Sequence, residues 1–323
     1  MKSPLALEIS VESIEAAMAA GRGGASRIEF CSNARVGGTT PSDELLRAVR
    51  ERVSLPIFSM VRPRGGDFFY SEAEFEAMRR DVDAAKEIGM NGVVLGLLDA
   101  GGQIDVERTK QLVEQARPLP VTFHRAFDEC VDLRRSLEDV IGTGAVRLLT
   151  SGGKRTAPEA LDLLGDLVRI AGGGISVMPG SGLHAGNILE AVAKTGAHEY
   201  HAGLSAVVAD VSGNLAVFEG EVRKLADVLR DSERGRAGMD GRKWRQYRRT
   251  RSAVHTFILQ KAHPVARWSR LYLNDAGPGI SDSRQSIGVL CGPRKAVSAR
   301  WALAVDSLII IESIMSSGHT RRW

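Results

Sequence analysis

Pro120-Val-Thr-Phe-His-Arg-Ala-Phe-Asp128 sets a histidine, an arginine and an aspartate at the end of a short β-branched and aromatic run that reads as a strand. Titratable groups at a strand end are costly to bury, and a ligand site at that end is the usual reason to tolerate them. His124 is a candidate proton carrier, with Glu29 as the other, and Arg125 is a candidate for stabilising a developing oxyanion. Val61-Arg-Pro-Arg-Gly-Gly-Asp67 offers a second chemistry. Arg62 and Arg64 flank a proline, and two guanidiniums so placed suit a carboxylate or phosphate. The plainer reading is that they neutralise Glu29 and Asp67. Two small-residue loops, Thr150-Ser-Gly-Gly153 and Met178-Pro-Gly-Ser-Gly182, run toward helices. Their backbone N–H groups, at Ser151, Gly152, Gly180 and Gly182, are candidates for holding an anion. Cys31 and His201 are the candidate metal ligands, set against the default of an inert buried thiol and a hydrogen-bonded imidazole.

The elements that must position these groups alternate from Leu5 to Leu229. Strands are expected at 6–10, 27–31, 56–61, 92–95, 120–124, 147–150, 176–178 and 199–202. Helical periodicity fills 13–21, 71–88, 105–116, 133–141, 157–171, 187–194 and 219–229, and glycines at 21, 89, 142, 172 and 196 read as helix ends. Eight strands with interleaved helices match a TIM-type (β/α)8 barrel, with an open doubly wound sheet as the competitor. Polar residues close nearly every strand, which favours the barrel, because an open sheet concentrates them at one switch point. Strand alternation then turns Glu8 with Ser10, Glu29 with Cys31, Thr122 with His124, and Glu199 with His201 inward. Buried carboxylates need partners, and Arg27, Arg62, Arg64 and Arg125 are the candidates.

Composition divides the chain. Residues 231–323 hold 17 Lys and Arg against 7 Asp and Glu, while the preceding residues hold 26 against 32. All four tryptophans fall in that last stretch. The expected domains are therefore a barrel over 5–229 and a basic, poorly ordered extension over 230–323. Met239–Arg251, basic with interleaved aromatics, raises nuclear targeting or nucleic-acid contact as a lesser reading. Three scattered cysteines, Cys31, Cys130 and Cys291, form no disulfide framework and suit a reducing compartment; Cys130 reads as structural. The run 303–315 is too short and too charged to span a bilayer, and no membrane partner is expected.

Ile28-Glu-Phe-Cys-Ser-Asn33, Gly37-Gly-Thr-Thr-Pro-Ser42, Arg62-Pro-Arg-Gly-Gly-Asp-Phe68, Pro118–Asp128, Leu149-Thr-Ser-Gly152 and Met178-Pro-Gly180 together resemble the CutC copper homeostasis protein family over roughly Leu5–Ala206. The resemblance implies a TIM-type barrel, a cytoplasmic location and a role in copper handling, some members binding Cu(I) through cysteines. Two features depart from it. Where such members carry a first-strand cysteine this chain has Ser10, so a Cu(I) site needs Cys31 with Met60, Met178 or His201, or a second subunit. Nothing after about Leu229 resembles the family. The expectation is a copper homeostasis protein with Cu(I) at the barrel mouth. The alternative is an enzyme that acts on a small anionic, phosphorylated or not, metabolite and affects copper indirectly. Homo-oligomerisation stays open.

Overall fold

The computed structural model describes residues 4–205, 207, 208 and 210–238. The basic segment from residue 239 onward, on which most of the expected extension falls, lies outside the described residues. Strands and helices alternate as β1 (Ala6–Val11), α1 (Ile14–Gly23), β2 (Arg27–Phe30), α2 (Asp43–Arg52), β3 (Ile57–Met60), α3 (Glu72–Ile88), β4 (Gly92–Leu95), α4 (Val106–Ala116), β5 (Val121–Phe123), α5 (Leu133–Thr143), β6 (Arg147–Thr150), α6 (Leu161–Ala171), β7 (Ser176–Pro179), α7 (Ile188–Thr195), β8 (Glu199–Ala202) and α8 (Leu215–Gly238). The strands run parallel in the order β8, β1, β2 and onward to β7, a nearly closed TIM-type barrel. Among the described residues no backbone ladder joins β7 to β8. Ser176 Oγ instead donates to Glu199 Oε1 across that seam, at 2.6 Å.

All eight expected strands are present, within two residues at each end. Helix α2 was not among the expected helices. Ser42 caps it by accepting from the Leu45 N–H, and its buried face is narrow, made by Leu46 and Val49. Helix α1 ends at Gly24 instead of Gly21, and α5 at Gly144 instead of Gly142, the later glycines being the ones that adopt left-handed φ of 96° and 85°. The segment expected as one helix from Ala157 opens as a 3-10 turn through Ala160, with Pro158 in its first turn. Helix α8 runs across the composition boundary at 229–234, with Leu229 and Ser232 buried and Glu233 accepting from the Leu5 N–H.

Parallel pairing keeps partners on the same face, so the register identifies the barrel interior. Stepping one residue along each successive strand, as barrel shear requires, stacks it in layers of four. Arg27, Gly92, Arg147 and Glu199 share the lowest of these, with Glu8, Phe58, Thr122 and Met178 above them. Next come Glu29, Val94, Leu149 and His201, and then Ser10, Met60, His124 and Gly180 toward the C-terminal mouth. The outer faces of the strands and the inner faces of the helices form the main apolar core.

The lower interior is therefore polar, and it is held by charge. The Arg27 guanidinium pairs with Glu8 through Nε and reaches Glu199 Oε2 through Nη2 at 2.7 Å. Arg147 meets Glu199 Oε2 at 2.6 Å and donates to Thr122 Oγ1 at 3.1 Å. Both guanidinium carbons lie over the Phe58 ring, 5.1 and 5.2 Å from its centroid. A side chain at Gly92 would collide with that ring. Of the four arginines expected to partner the buried carboxylates, only Arg27 does so. Arg147 is the second, at the N-terminal end of β6, away from the polar C-terminal strand ends. Replacing Arg27 with Met leaves buried Glu8 without its cation, while Glu199 keeps Arg147, and is expected to cost about 3–5 kcal/mol in urea unfolding. A loss under 1 kcal/mol would show that the network is not a unit.

Candidate functional site

Three adjacent strands, β8, β1 and β2, carry a polar cluster at mid-depth, below the layer of His124. Glu8 on β1 is fully buried, and its Oε1 lies 2.8 Å from His201 Nδ1 on β8. Burial would raise the Glu8 carboxyl, but the His201 hydrogen bond and the Arg27 charge overcome it and hold it at about 2. Glu8 is thus a carboxylate and accepts, so His201 donates through Nδ1 and its Nε2 is the atom that gains or loses a proton. Glu29 on β2 lies in the same layer as His201. Its Oε1 accepts from the Ser10 hydroxyl at 2.9 Å, while Oε2 is buried without a hydrogen-bond partner. Burial raises the Glu29 carboxyl; His201 is raised as well, because Glu29 and Glu8 outweigh the burial of its own charge. Arg27 and Arg147 already balance Glu8 and Glu199. Electroneutrality then leaves one proton for Glu29 and His201 to hold between them, as a coupled pair.

One donor atom from each of Glu8, Glu29 and His201 falls within 4.8 Å of the others. Two carboxylates and an imidazole suit a borderline or hard divalent cation, not soft Cu(I). Two of the sulfur donors, Cys31 and Met60, lie higher, and Met178 lies lower. Cys31 Sγ is 3.8 Å from Ser10 Oγ and packs in a small apolar cluster with Phe58, Met60 and Val94. Cys31 Sγ and the Met60 methyl both crowd the position a side chain at Gly38 would take. Burial, reinforced by the Glu29 charge, pushes the Cys31 thiol up to about 12. Met178 Sδ already accepts from Arg27. Cys31 and His201 therefore belong to different layers, the first thiol-like in an apolar wall and the second bonded to Glu8. As a Cu(I) site this donor set fits poorly.

His124 closes β5 in the uppermost layer. It is buried, and its Nδ1 accepts from the Ala126 N–H at 3.2 Å, capping a 3-10 turn over Arg125–Glu129. Its Nε2 is buried with no partner. Burial, together with the Arg62 charge, pushes His124 down to about 3. The Phe68 ring covers it at 5.0 Å between centroids, and the Arg62 guanidinium stacks on Phe68 at 4.6 Å. Arg62 donates to the carbonyls of Val36, Gly38 and Gly66, so it staples the loop after β2 to the loop after β3. It does not neutralise Glu29. Arg64 meets Asp67 at 3.0 Å and Glu74 at 2.5 Å, the latter belonging to the capping box of α3.

The two glycine loops differ. After β6, the Asp128 carboxylate accepts from the N–H groups of Ser151 and Gly153, from the hydroxyls of Thr150 and Ser151, and from Arg125 Nε. Gly152 donates to Thr150 Oγ1. An anion cradle is present, and the chain fills it with its own aspartate. After β7, Ser181 and Gly182 have positive φ of 74° and 71°, and their N–H groups have no acceptor among the described residues. Gly180 packs against His201 and Leu149. Sequence reasoning had Asp128 in view without its role. It sits three residues from Arg125, but its partners arrive from a strand more than twenty residues away.

No described helix is long and apolar enough to cross a membrane. The CutC family profile matches residues 5–206. A family protein CutC of Xylella fastidiosa is 48% identical over 203 residues, covering 63% of this chain and 76% of the relative. One from Chromobacterium violaceum is also 48% identical and is covered over 82% of its length. The solved structure of CutC from Streptococcus agalactiae, named as a candidate copper homeostasis protein, is 30% identical, with a TM-score of 0.58 over 62% of this chain and 98% of that one.

The site makes stability depend on pH in a signed way. His124 and Glu8 lie below their ordinary values, so on acidification the unfolded chain takes up protons that the folded chain refuses. The His124 share is complete above 6.5 and is lost as pH falls toward about 3, at about 1.4 kcal/mol per unit while one proton separates the states. Glu29 and His201, both raised, act oppositely: their share is lost as pH rises through their folded values. Urea midpoints measured from pH 7 to 4 are expected to fall less steeply in His124→Gln than in the wild type. Equal slopes would mean that His124 is not held neutral.

Proposed function

This chain belongs to the CutC family, and on that premise we propose that its barrel acts on a small anionic molecule at the C-terminal mouth, by proton transfer between that molecule and the Glu29–His201 pair. The observation that carries the reading is Glu29 Oε2, buried without a partner beside an imidazole that Glu8 holds by its other nitrogen. A buried unpaired carboxylate oxygen costs stability unless a ligand or water meets it. One shared proton lets the pair both give and take, which suits enolisation next to a carbonyl. The anionic group of the substrate is received on the β7 side, by Ser181 and Gly182, since Asp128 fills the β6 cradle. Arg125, bound to Asp128 through Nε and to Ser151 through Nη2, orders that loop. The role in copper handling then follows from the small molecule and its own affinity for the metal.

Direct copper binding is the second reading, and Cys31 beside Met60 at the upper wall is what favours it. Thiolate and thioether are the right donors for Cu(I). Against it stand the high thiol value and Ser10, whose hydroxyl serves Glu29.

Two measurements separate them. Full-length protein in D2O with a panel of 2-oxo acids is expected to catalyse exchange of the hydrogens next to the carbonyl, followed by NMR. Glu29→Gln and His201→Asn are expected to slow it by about 10²–10⁴. Exchange as fast in Glu29→Gln as in the wild type would remove the proposal. Anaerobic Cu(I) titration is expected to give the same weak uptake in the wild type and in Cys31→Ser; a tight site lost in that variant would establish the second reading instead.

A further inference from the structure

His124 is left over from the proton-transfer chemistry, and its hydrogen bonds define what it can do. The Ala126 N–H points at Nδ1, at 3.2 Å, and a backbone amide cannot accept. Nδ1 must therefore carry the lone pair, and the ring proton of neutral His124 sits on Nε2. That Nε2–H is buried, with no acceptor among the described residues. The ring has little freedom to turn away from this arrangement. A side chain at Gly96 would collide with its Nδ1 edge, Phe68 covers it, and Arg62 holds Phe68 from the far side. The register sets His124 with Ser10, Met60 and Gly180, one layer above Glu29 and His201.

Resting on the reading that the mouth binds a small carbonyl-bearing anion, we infer that His124 receives the carbonyl or carboxylate oxygen of that molecule as a neutral hydrogen-bond donor through Nε2–H. The group has the wrong form for a base. Its accepting nitrogen is already used inside the turn, and protonation would break the Ala126 bond. A neutral donor fixed in a dry wall is well suited to charge that develops on an enolate oxygen, because it needs no reorganisation as the charge grows. Glu29 and His201 then exchange the proton on carbon while His124 holds the oxygen. The pair of roles, acid–base below and oxygen binding above, is what enolisation requires. Burial and the neighbouring Arg62 charge, which keep His124 un-ionised, agree with this division of labour.

Long-range ¹⁵N–¹H spectra of the uniformly labelled full chain test it by reading the ring of the unsubstituted protein directly. One histidine, assigned by its loss in His124→Gln, is expected to show an unprotonated Nδ1 and a protonated Nε2, unchanged between about pH 5 and 8. Its Nε2–H resonance is expected to move on titration with oxalate, a planar enolate mimic, and with pyruvate. Gln retains a donor amide and is expected to bind oxalate within about threefold of the wild type, whereas His124→Phe weakens binding by roughly tenfold or more. A ring that titrates near neutrality, the opposite tautomer, or an Nε2–H resonance indifferent to both probes would overturn the inference. The two failures can be told apart. Catalysed exchange with a silent His124 overturns the His124 role alone. A His124 that responds to oxalate in a chain catalysing no exchange removes the proton-transfer reading and supports the oxygen-binding role.

Discussion

The Arg27 guanidinium is the constraint from which the rest of the site follows. It is the one cation that touches both Glu8 and Glu199, and it does so inside the barrel, where an unmatched carboxylate would be expensive. With Arg27 present Glu8 stays ionised. With Glu8 ionised, His201 is pinned by Nδ1 and offers Nε2 to its layer. With Glu199 paired to both arginines, the charges of the lower interior cancel, and the proton shared by Glu29 and His201 becomes the only loose one. A barrel filled with branched aliphatic side chains would be simpler to fold. This one has a charged floor, and the floor sets the ionisation of what lies above it.

The strands were legible because each is a short apolar run ended by polar residues, and because parity alone turns Glu8, Glu29, Thr122 and His201 to the same side. Local chemistry was legible too: the capping box at Ser71 and Glu74 forms as its spacing predicts. Pairing was not. Arg147 and Glu199 are fifty-two positions apart, and nothing near Arg147 marks it as interior except the parity of a strand whose C-terminal end drew the attention. Arg62, Arg64 and Arg125 looked free for an anion because sequence shows charge but not engagement. Arg62 bonds three carbonyls, Arg64 two carboxylates, and Arg125 an aspartate and a serine. Helix α2 was legible in principle: Ser42 caps it, and Leu45, Leu46 and Val49 keep helical spacing between charged residues.

Ser10 illustrates how one atom changes the character of a wall. A thiol there would face Cys31 and offer a second sulfur to a soft metal. The hydroxyl donates instead to Glu29 Oε1, which fixes that carboxylate and leaves the opposite oxygen open. The hydroxyl at this position thus supports the Glu29 carboxylate, where a thiol would have made a sulfur pair with Cys31.

The aspartate in the β6 loop bears on competition inside a cell. Backbone N–H groups gathered at a loop attract any small oxyanion, and inorganic phosphate is abundant. A carboxylate carried by the chain itself competes at an effective concentration that a free solute cannot match. Asp128, held by five donor groups, occupies the position that a free oxyanion would otherwise take. What discriminates between solutes at this barrel is then as much an occupant that never leaves as a pocket that waits to be filled.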